Sequence, residues 1–175
     1  KMKDKPERKD TIEIIREALG ELGLTEEPIT NYYTMNKILG SGKYGVVRKA
    51  TSKKYTERTV AVKVIDINKL RSQFHSLIQE ILTLKKMDHP NIASIYEMYK
   101  DEAKLYLVME FVEGMELFDF VTDRFKLMES EAVEIIEQMV KVIRYLNSIG
   151  ICHRDLKPEN IIINPKTLQI KLIDF

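Results

Sequence analysis

The 175-residue sequence has one cysteine, no long hydrophobic run and almost no net charge. Since the single cysteine, Cys152, cannot form a disulfide within the chain, the sequence favours a reducing, cytoplasmic environment. No apolar run approaches the roughly 20 residues that a membrane-spanning helix needs, and no secretory signal is visible, so we expect no membrane span. The 28 Lys and Arg residues nearly balance 27 Asp and Glu residues, which argues against a nucleic-acid partner.

The first 31 residues are predicted to form an N-terminal extension. Residues 1–9 are polar and rich in charge, which is typical of a solvated, poorly ordered segment. Asp10 then precedes a predicted short amphipathic helix. Its apolar face comprises Ile12, Ile15, Leu19 and Leu22. Two interpretations stay open, since this helix could pack on its own domain or dock to a partner.

Residues 32–114 alternate strand-like runs with turn formers around one helix. The helix is predicted over Phe74–Met87, where apolar residues recur at helical spacing. Five runs rich in β-branched and aromatic residues predict strands: Tyr32–Leu39, Val46–Thr51, Thr59–Ile65, Ile92–Lys100 and Leu105–Phe111. We therefore predict a unit of five mainly antiparallel strands and one helix.

Residues 115–175 are predicted to be helical first. Glu116–Arg124 and Ser130–Ser148 both have apolar residues at helical spacing. The apolar stripe of the longer helix is expected to contain Val133, Ile136, Val140, Ile143 and Leu146. Two short apolar runs around a turn sequence then predict a hairpin, formed by Ile161–Ile163, Asn164-Pro165 and Leu168–Ile173. The expected fold class for the chain is α+β.

The segment Gly40-Ser41-Gly42-Lys43-Tyr44-Gly45 has the G-x-G-x-x-G form, which alone is shared with dinucleotide-binding folds. A dinucleotide site needs a helix directly after the glycines, whereas Val46–Ala50 has strand character. The context favours a glycine-rich hairpin over phosphates, because missing side chains let backbone amides approach oxygen atoms. An ordinary glycine-containing hairpin is the alternative.

Two charged residues lie where their predicted elements are otherwise apolar. Strand alternation puts Lys63 on the same face as Ala61 and Ile65, where a lysine is costly unless it meets anionic groups. Glu80 borders the apolar stripe of its predicted helix. Each has a simpler explanation, namely a lysine stem that reaches water and a glutamate at a solvent boundary. An ion pair between Lys63 and Glu80 accounts for both positions.

The run from His153 to Asn160, His-Arg-Asp-Leu-Lys-Pro-Glu-Asn, followed by Asp174-Phe175, resembles the catalytic loop and metal-binding motif of eukaryotic-type serine/threonine protein kinases. Together with the glycine loop, the strand lysine and the helix glutamate, the resemblance covers Tyr32 to Phe175. It implies a kinase N-lobe over residues 32–114, made of five antiparallel strands and one helix. Residues 115–175 would then be the first, mainly helical part of a C-lobe.

The resemblance implies a catalytic role for four residues. Asp155 would orient the substrate hydroxyl and accept its proton. Lys157, which matches the serine/threonine-specific form, would neutralise charge on the transferring γ-phosphoryl group. Lys63 would hold the α- and β-phosphates, and Glu80 would hold Lys63.

The implied cofactors are ATP and Mg²⁺. Asn160 and Asp174 would bind the metal, because amide and carboxylate oxygens suit this hard cation. Backbone groups of Glu110 and Val112 would bind adenine, with Met109 as the gatekeeper residue. The complete set of implied nucleotide contacts is Leu39, Gly40, Ser41, Gly42, Lys43, Tyr44, Gly45, Val47, Ala61, Lys63, Met109, Glu110, Val112, Glu116 and Ile162.

Substrates and regulators are implied by the same resemblance. Glu116 and Glu159 match acidic positions that bind substrate arginines, so we expect protein substrates with Arg three residues before the Ser or Thr. The block Glu116-Leu117-Phe118-Asp119 is most similar to the calcium/calmodulin-dependent group, and to calcium-dependent protein kinases within it. That group implies a calcium-sensor domain or a calmodulin-like regulator outside this chain.

The sequence stops at Phe175, before the activation segment of a kinase, and starts at Lys1. We therefore expect a fragment of a longer kinase, in which the helix Ser130–Ser148 leaves apolar area exposed. Two alternatives to an active kinase stay open. One is a pseudokinase or nucleotide-responsive scaffold, which the complete set of catalytic residue types disfavours. The other is an inactive fragment with a structural or regulatory role.

Overall fold

The computed structural model describes residues 24–42, 45–67, 74–124 and 126–173, apart from the side chains of residues 42, 74–76, 79 and 80. The amphipathic helix predicted after Asp10 lies outside the described residues. No helix within the described ranges is long and apolar enough to cross a membrane.

Five strands form one antiparallel sheet in the order β1-β2-β3-β5-β4. Their bounds are β1 Tyr33–Gly42, β2 Gly45–Ser52, β3 Thr59–Asp66, β4 Ile95–Lys100 and β5 Lys104–Glu110. The central strand β3 is rich in β-branched residues, and Val60, Val62 and Ile65 are fully buried in it. The predicted five-stranded antiparallel sheet is confirmed.

The sheet buries residues on both faces, because successive side chains of a strand point in opposite directions. On one face, Ile65 packs with Ile78 and Ile81 of helix α1, Phe74–Lys85. On the opposite face, Val60 and Val62 pack with aromatic residues of the neighbouring strands. Lys63 is two residues from both Ala61 and Ile65, so its side chain lies on the same face as theirs, which is the face that carries helix α1.

The segment before the sheet also contacts it. A 3-10 turn, Ile29–Asn31, precedes β1 and buries Ile29. Thr25 pairs in parallel with Tyr99 at the outer edge of β4, through Thr25 N to Met98 O at 3.0 Å and Lys100 N to Thr25 O at 3.1 Å. Residues 24–31 are thus bound to the sheet along its β4 edge and its outer face.

The second half of the chain contains two helices and a small sheet. The helices are α2, Leu117–Asp123, and α3, Glu129–Ser148. Strands β6 (Met115–Glu116), β7 (Ile161–Ile163) and β8 (Ile170–Leu172) form an antiparallel sheet in that order. One face of the β7–β8 hairpin is buried against helices α2 and α3, which makes it the core of this half.

Helix α3 has two apolar stripes, and the structure buries the one that was not predicted. The buried residues recur every three or four positions: Ile135, Met139, Val142 and Leu146. Of the predicted stripe only Leu146 is buried, while Val133, Ile136, Val140 and Ile143 are exposed. The expectation of exposed apolar area on this helix is therefore confirmed, and the expected core face is corrected.

Among the element boundaries that differ from prediction, three have a visible structural cause. Strand β4 begins at Ile95, since Ile92 instead pairs with Leu172 of β8. Glu116 lies in strand β6 and not in a helix, because it pairs with Ile162. Leu168 has a left-handed backbone, with a φ of 52°, so the second strand of the hairpin is limited to Ile170–Leu172.

The loop between α1 and β4 joins the two halves. The backbone of β8 is bound on both sides of Ile92, by Ala93 N to Leu172 O at 3.0 Å and Leu172 N to Asn91 O at 2.8 Å. The Asn91 side chain donates to Gln138 Oε1 at 2.9 Å and to Ile170 O at 2.8 Å. These bonds fix the carboxyl end of helix α1 to helix α3 and β8, and hence set the spacing between the two halves.

Candidate active site

The loop between α3 and β7 has a shape that its own residues define. Arg154 has a φ of 64°, a left-handed conformation that costs a non-glycine residue about 1 to 3 kcal/mol. The amide of Asp155 donates to His153 Nδ1 at 3.3 Å, and a 3-10 turn, Pro158–Asn160, closes the loop. The strained residue directly before Asp155 turns that side chain towards solvent.

Asp155 is the centre of a compact polar trio. Lys157 Nζ lies 3.0 Å from Asp155 Oδ2. Asn160 Nδ2 donates to the same oxygen at 3.0 Å and to the main-chain oxygen of Asp155 at 2.8 Å. The hydrogen bond from Lys157, followed by that from Asn160, lowers the pKa of Asp155 below its ordinary value. The side chain is 62% exposed, so an ionised carboxylate faces solvent at neutral pH.

Asn160 is the buried member of the trio, with 8% of its surface exposed. Because its Nδ2 group is bonded to Asp155, its Oδ1 atom is the one available for a cation. Its main-chain oxygen accepts a bond from Ile173 N at 2.8 Å, which brings the end of the β7–β8 hairpin to this loop. An amide oxygen beside a carboxylate is a donor set that fits Mg²⁺.

The second predicted metal ligand, Asp174, lies outside the described residues. Within the part of the chain that the structure describes, no group of three or more His, Cys, Asp or Glu residues could hold a metal ion.

Lys63 lies in the middle of the sheet, opposite Val47 of β2 and Leu107 of β5. It is half-buried on the face that carries helix α1. Glu80 belongs to that helix, but its side chain is outside the described set, and so is the predicted ion pair. The backbone places both residues on elements that face each other.

The glycine segment is a hairpin and not a strand–helix turn. Gly42 of β1 pairs with Gly45 of β2, and β2 continues as a strand to Ser52. A Cβ atom at Gly45 would clash with the carbonyl group of Val64, whereas one at Gly40 meets nothing within 4 Å. Gly45 is therefore required by packing and Gly40 is not. Lys43 and Tyr44 lie outside the described residues.

The remaining predicted nucleotide contacts are distributed over the five-stranded sheet, the segment after β5 and the small sheet. Leu39 is exposed on β1, and Ala61 lies opposite Met109 on adjacent strands. The Glu110 amide donates to Ser94 O at 2.9 Å, so adenine recognition by this residue would have to use its carbonyl oxygen. Val112 follows in the connecting segment, and the chain then passes so close to Ile163 that only glycine fits at Gly114.

The small sheet presents three side chains on the face opposite its core. Glu116, Ile162 and Lys171 are directly opposite one another on β6, β7 and β8. Since residues 161, 163, 170 and 172 are buried on the other face, these three face away from that core. Ile162 is half-buried on this face.

The predicted substrate residues Glu116 and Glu159 are both exposed. Glu116 lies in β6, and Glu159 lies in the 3-10 turn Pro158–Asn160 that packs against β6 and α2. They therefore lie on elements that contact each other.

Sequence reasoning missed one charged residue of this region. Lys171 Nζ lies 2.8 Å from Glu110 Oε2, across the cleft between the two halves. Ile170 and Leu172 on either side of Lys171 are buried, so strand alternation predicts only that the lysine lies on the outward face and gives no signal for its partner.

Comparison with known proteins gives a consistent result. Residues 33–175 match the family model described as protein kinase domain. Calcium-dependent protein kinase 5 of Plasmodium falciparum is 41% identical over 155 residues, which is 87% of this chain and 27% of the relative. A probable myosin light chain kinase of Dictyostelium discoideum is 43% identical over 144 residues, covering 82% of this chain and 45% of the relative.

A third relative is calcium/calmodulin-dependent protein kinase type 1 of Macrobrachium nipponense, 37% identical over 77% of this chain and 39% of the relative. Among solved structures, Rad53 1-466 in complex with AMP-PNP matches with a TM-score of 0.75 and 35% identity, over 84% of this chain and 39% of that chain. The chain thus spans less than half the length of these proteins.

Proposed function

The chain belongs to the protein kinase domain family, and on this basis we propose that it carries the phosphoryl-transfer site of an ATP- and Mg²⁺-dependent serine/threonine protein kinase. The observation that carries the proposal is the trio around Asp155. An exposed, ionised carboxylate is held by a lysine and by a buried asparagine within 3.0 Å. This is an arrangement for orienting a hydroxyl beside a phosphoryl group.

Asp155 acts on the substrate hydroxyl. It accepts a hydrogen bond from the Ser or Thr O–H and so directs the oxygen towards the γ-phosphorus of ATP. As the new P–O bond forms and the bond to the ADP oxygen breaks, the hydroxyl proton passes to the carboxylate. Because the pKa of Asp155 is lowered, this carboxylate is a weak base that takes the proton late in the transfer.

Lys157 and Asn160 position the reacting groups. Lys157 is 44% exposed, so its ammonium group can contact the transferring phosphoryl oxygens while it remains close to Asp155. Asn160 would present Oδ1 to Mg²⁺, with Asp174 as the second ligand. When bound, this ion neutralises charge on the β- and γ-phosphates.

The nucleotide is proposed to lie in the cleft between the sheet and the small C-lobe sheet. The glycine hairpin would cover the phosphates, and Lys63, held by Glu80, would bind the α- and β-phosphates. The adenine would lie between Val47 and Ala61 above and Ile162 below, next to Met109, with its polar edge at Glu110 and Val112. Support comes from the position of Ala61 opposite Met109 on adjacent strands and from a solved relative, Rad53, whose complex contains AMP-PNP.

Substrate preference follows from charge. Glu116 and Glu159 are exposed carboxylates on elements that contact each other, which favours peptides with Arg three residues before the acceptor. Regulation by a calcium-sensor domain or calmodulin-like protein outside this chain is proposed from the names of the relatives alone.

The test is transfer of labelled γ-phosphate to a Ser peptide with Arg at the third position before the Ser. The Asp155→Asn variant should lose transfer by about 10²-fold or more, the size of a general-base contribution, while binding Mg·ATP as the wild type does. Full activity in the variant would contradict the role of Asp155. Nucleotide binding without any transfer by the wild type would favour a scaffold function instead.

A further inference from the structure

The ion pair between Glu110 and Lys171 joins the five-stranded sheet to the small sheet, next to the segment proposed to bind adenine. Glu110 is the last residue of β5, where the sheet leads into the connecting segment 111–114. Lys171 lies on β8, in the floor of the cleft, beside Ile162. Their side chains are only 24% and 25% exposed, and the charged atoms are 2.8 Å apart.

The carboxylate of Glu110 also joins a third segment. Ser94 N donates to Glu110 Oε2 at 3.3 Å, while Glu110 N donates to Ser94 O at 2.9 Å. Ser94 follows directly after the backbone bond between Ala93 and Leu172 of β8. One carboxylate thus holds the end of β5, the loop before β4 and the cleft floor together.

The surrounding structure shows why this ion pair affects the position of the connecting segment 111–114. Residues 111–114 have neither helix nor strand ladder to fix their distance from β7 and β8. At the far end of the segment, Gly114 lies against the Ile163 carbonyl. At the near end, the contact to the floor runs through Lys171. Together with the backbone bonds of residues 91–93, these two contacts tie the segment proposed to bind adenine to the small sheet that contains Ile162.

We propose that Lys171 is a positioning residue for adenine recognition, which acts through Glu110 and not by contact with the nucleotide. This inference rests on the proposed nucleotide site. The competing explanation is that Lys171 acts only through its positive charge, which would attract any polyanion. The two explanations differ in what they predict for a ligand without adenine.

The test uses the full chain with Lys171→Met, Lys171→Arg and a matched control, Lys166→Met, in the exposed turn of the same hairpin. Affinities are measured for AMP-PNP with Mg²⁺ and for inorganic tripolyphosphate, by displacement of a fluorescent ATP analogue. Lys171→Met should weaken AMP-PNP binding by about threefold to tenfold, as expected for a partly buried ion pair, and leave tripolyphosphate binding unchanged. Lys171→Arg and Lys166→Met should match the wild type.

A double variant shows whether the effect passes through Glu110. Glu110→Gln should weaken AMP-PNP binding as Lys171→Met does, and combining both changes should add little further loss, because one interaction is removed twice. Unchanged or tighter AMP-PNP binding in Lys171→Met would overturn the inference. So would an equal loss for tripolyphosphate, which would leave Lys171 as a simple cation.

Amide hydrogen exchange separates this inference from the proposed function. In the nucleotide-free protein, exchange at residues 110–113 should be faster in Lys171→Met than in the wild type and in Lys166→Met. If the wild type binds no AMP-PNP, the proposed nucleotide site fails, and exchange alone decides on Lys171. Exchange that is the same in all three proteins means that Lys171 does not position the segment.

Discussion

At the scale of single residues, the chemistry of the site depends on charges held close to one another. Asp155 accepts bonds from Lys157 and Asn160 on the same oxygen atom, Oδ2. Both bonds stabilise the ionised form, so the pKa of the carboxyl lies below its ordinary value. The lysine thereby holds Asp155 as an acceptor and limits its strength as a base.

Removing that lysine should therefore raise the pKa of Asp155. In Lys157→Met the pKa is expected to move up towards the ordinary value of an aspartate, because the largest cause of its lowering is lost. A carboxyl resonance titration by NMR measures this directly, with Lys166→Met as the control that should leave the pKa unchanged. A variant pKa equal to or below that of the wild type would show that Lys157 does not stabilise the carboxylate.

The direction of the Asp155 pKa shift also determines how pH affects the stability that this residue contributes. A carboxyl with a lowered pKa contributes stability at pH values above its unfolded-state pKa, and loses that contribution as the pH falls through its folded-state pKa. The contribution of Asp155 is small, because its side chain is largely exposed. Lys157→Met should thus affect phosphoryl transfer far more than stability.

At the scale of secondary-structure elements, the β1–β2 hairpin shows two glycines with different reasons to be there. Gly45 lies where β2 approaches β3 so closely that a side chain would meet the Val64 carbonyl. Gly40 has open space around its Cα atom. A single motif thus combines a packing requirement with a surface left clear of side chains.

Two alanine substitutions separate these roles. Gly45→Ala should lower the free energy of unfolding by about 1 to 3 kcal/mol, since backbone must move to admit the methyl group. Gly40→Ala should leave the free energy of unfolding within about 0.5 kcal/mol of the wild type. Denaturant unfolding measures both values. Equal losses in the two variants would contradict the close approach seen at Gly45.

The loop before β4 is an element whose role only its contacts reveal. Asn91 looks like part of a simple helix-ending sequence, yet its side chain binds helix α3 and β8 at once. The backbone of Ile92 pairs with β8 rather than extending β4. This is why the predicted strand start at Ile92 was wrong.

At the scale of the whole molecule, helix α3 has an exposed apolar face. Ile136 is 60% exposed, with Val133 and Val140 beside it, and these residues line a shallow groove on the helix surface together with charged neighbours. Contiguous exposed apolar surface favours association in water. The isolated chain is therefore expected to self-associate through this face.

Replacing Ile136 by Gln should reduce that association. Sedimentation velocity over a concentration series measures it, and AMP-PNP binding reports whether the nucleotide cleft is unaffected. Phe118→Gln is the matched control, since Phe118 is a 50% exposed apolar residue on helix α2, away from the groove. Equal association in the wild type and both variants would mean that the α3 face is not responsible.

Much of the fold and of the candidate site could be predicted from the sequence alone. Runs of β-branched and aromatic residues between turn formers were sufficient to predict the five strands, and apolar residues at helical spacing located the main helices. Asp155, Lys157 and Asn160 were named from the resemblance of the run His153–Asn160 to a kinase catalytic loop, and the structure shows that they contact one another within six consecutive positions. Residues that are close in one loop are constrained by the chain to be close in space.

The tertiary structure decided what depends on distant partners. Glu110 and Lys171 are 61 positions apart, and no sequence pattern in either strand indicates that the two side chains form an ion pair. The choice between the two apolar stripes of helix α3, and the pairing of Ile92 with Leu172, likewise depended on which surfaces were available for packing. Hydrogen bonds and burial stabilise contacts between residues that folding brings close together. Composition and spacing along the sequence do not show which distant residues these will be.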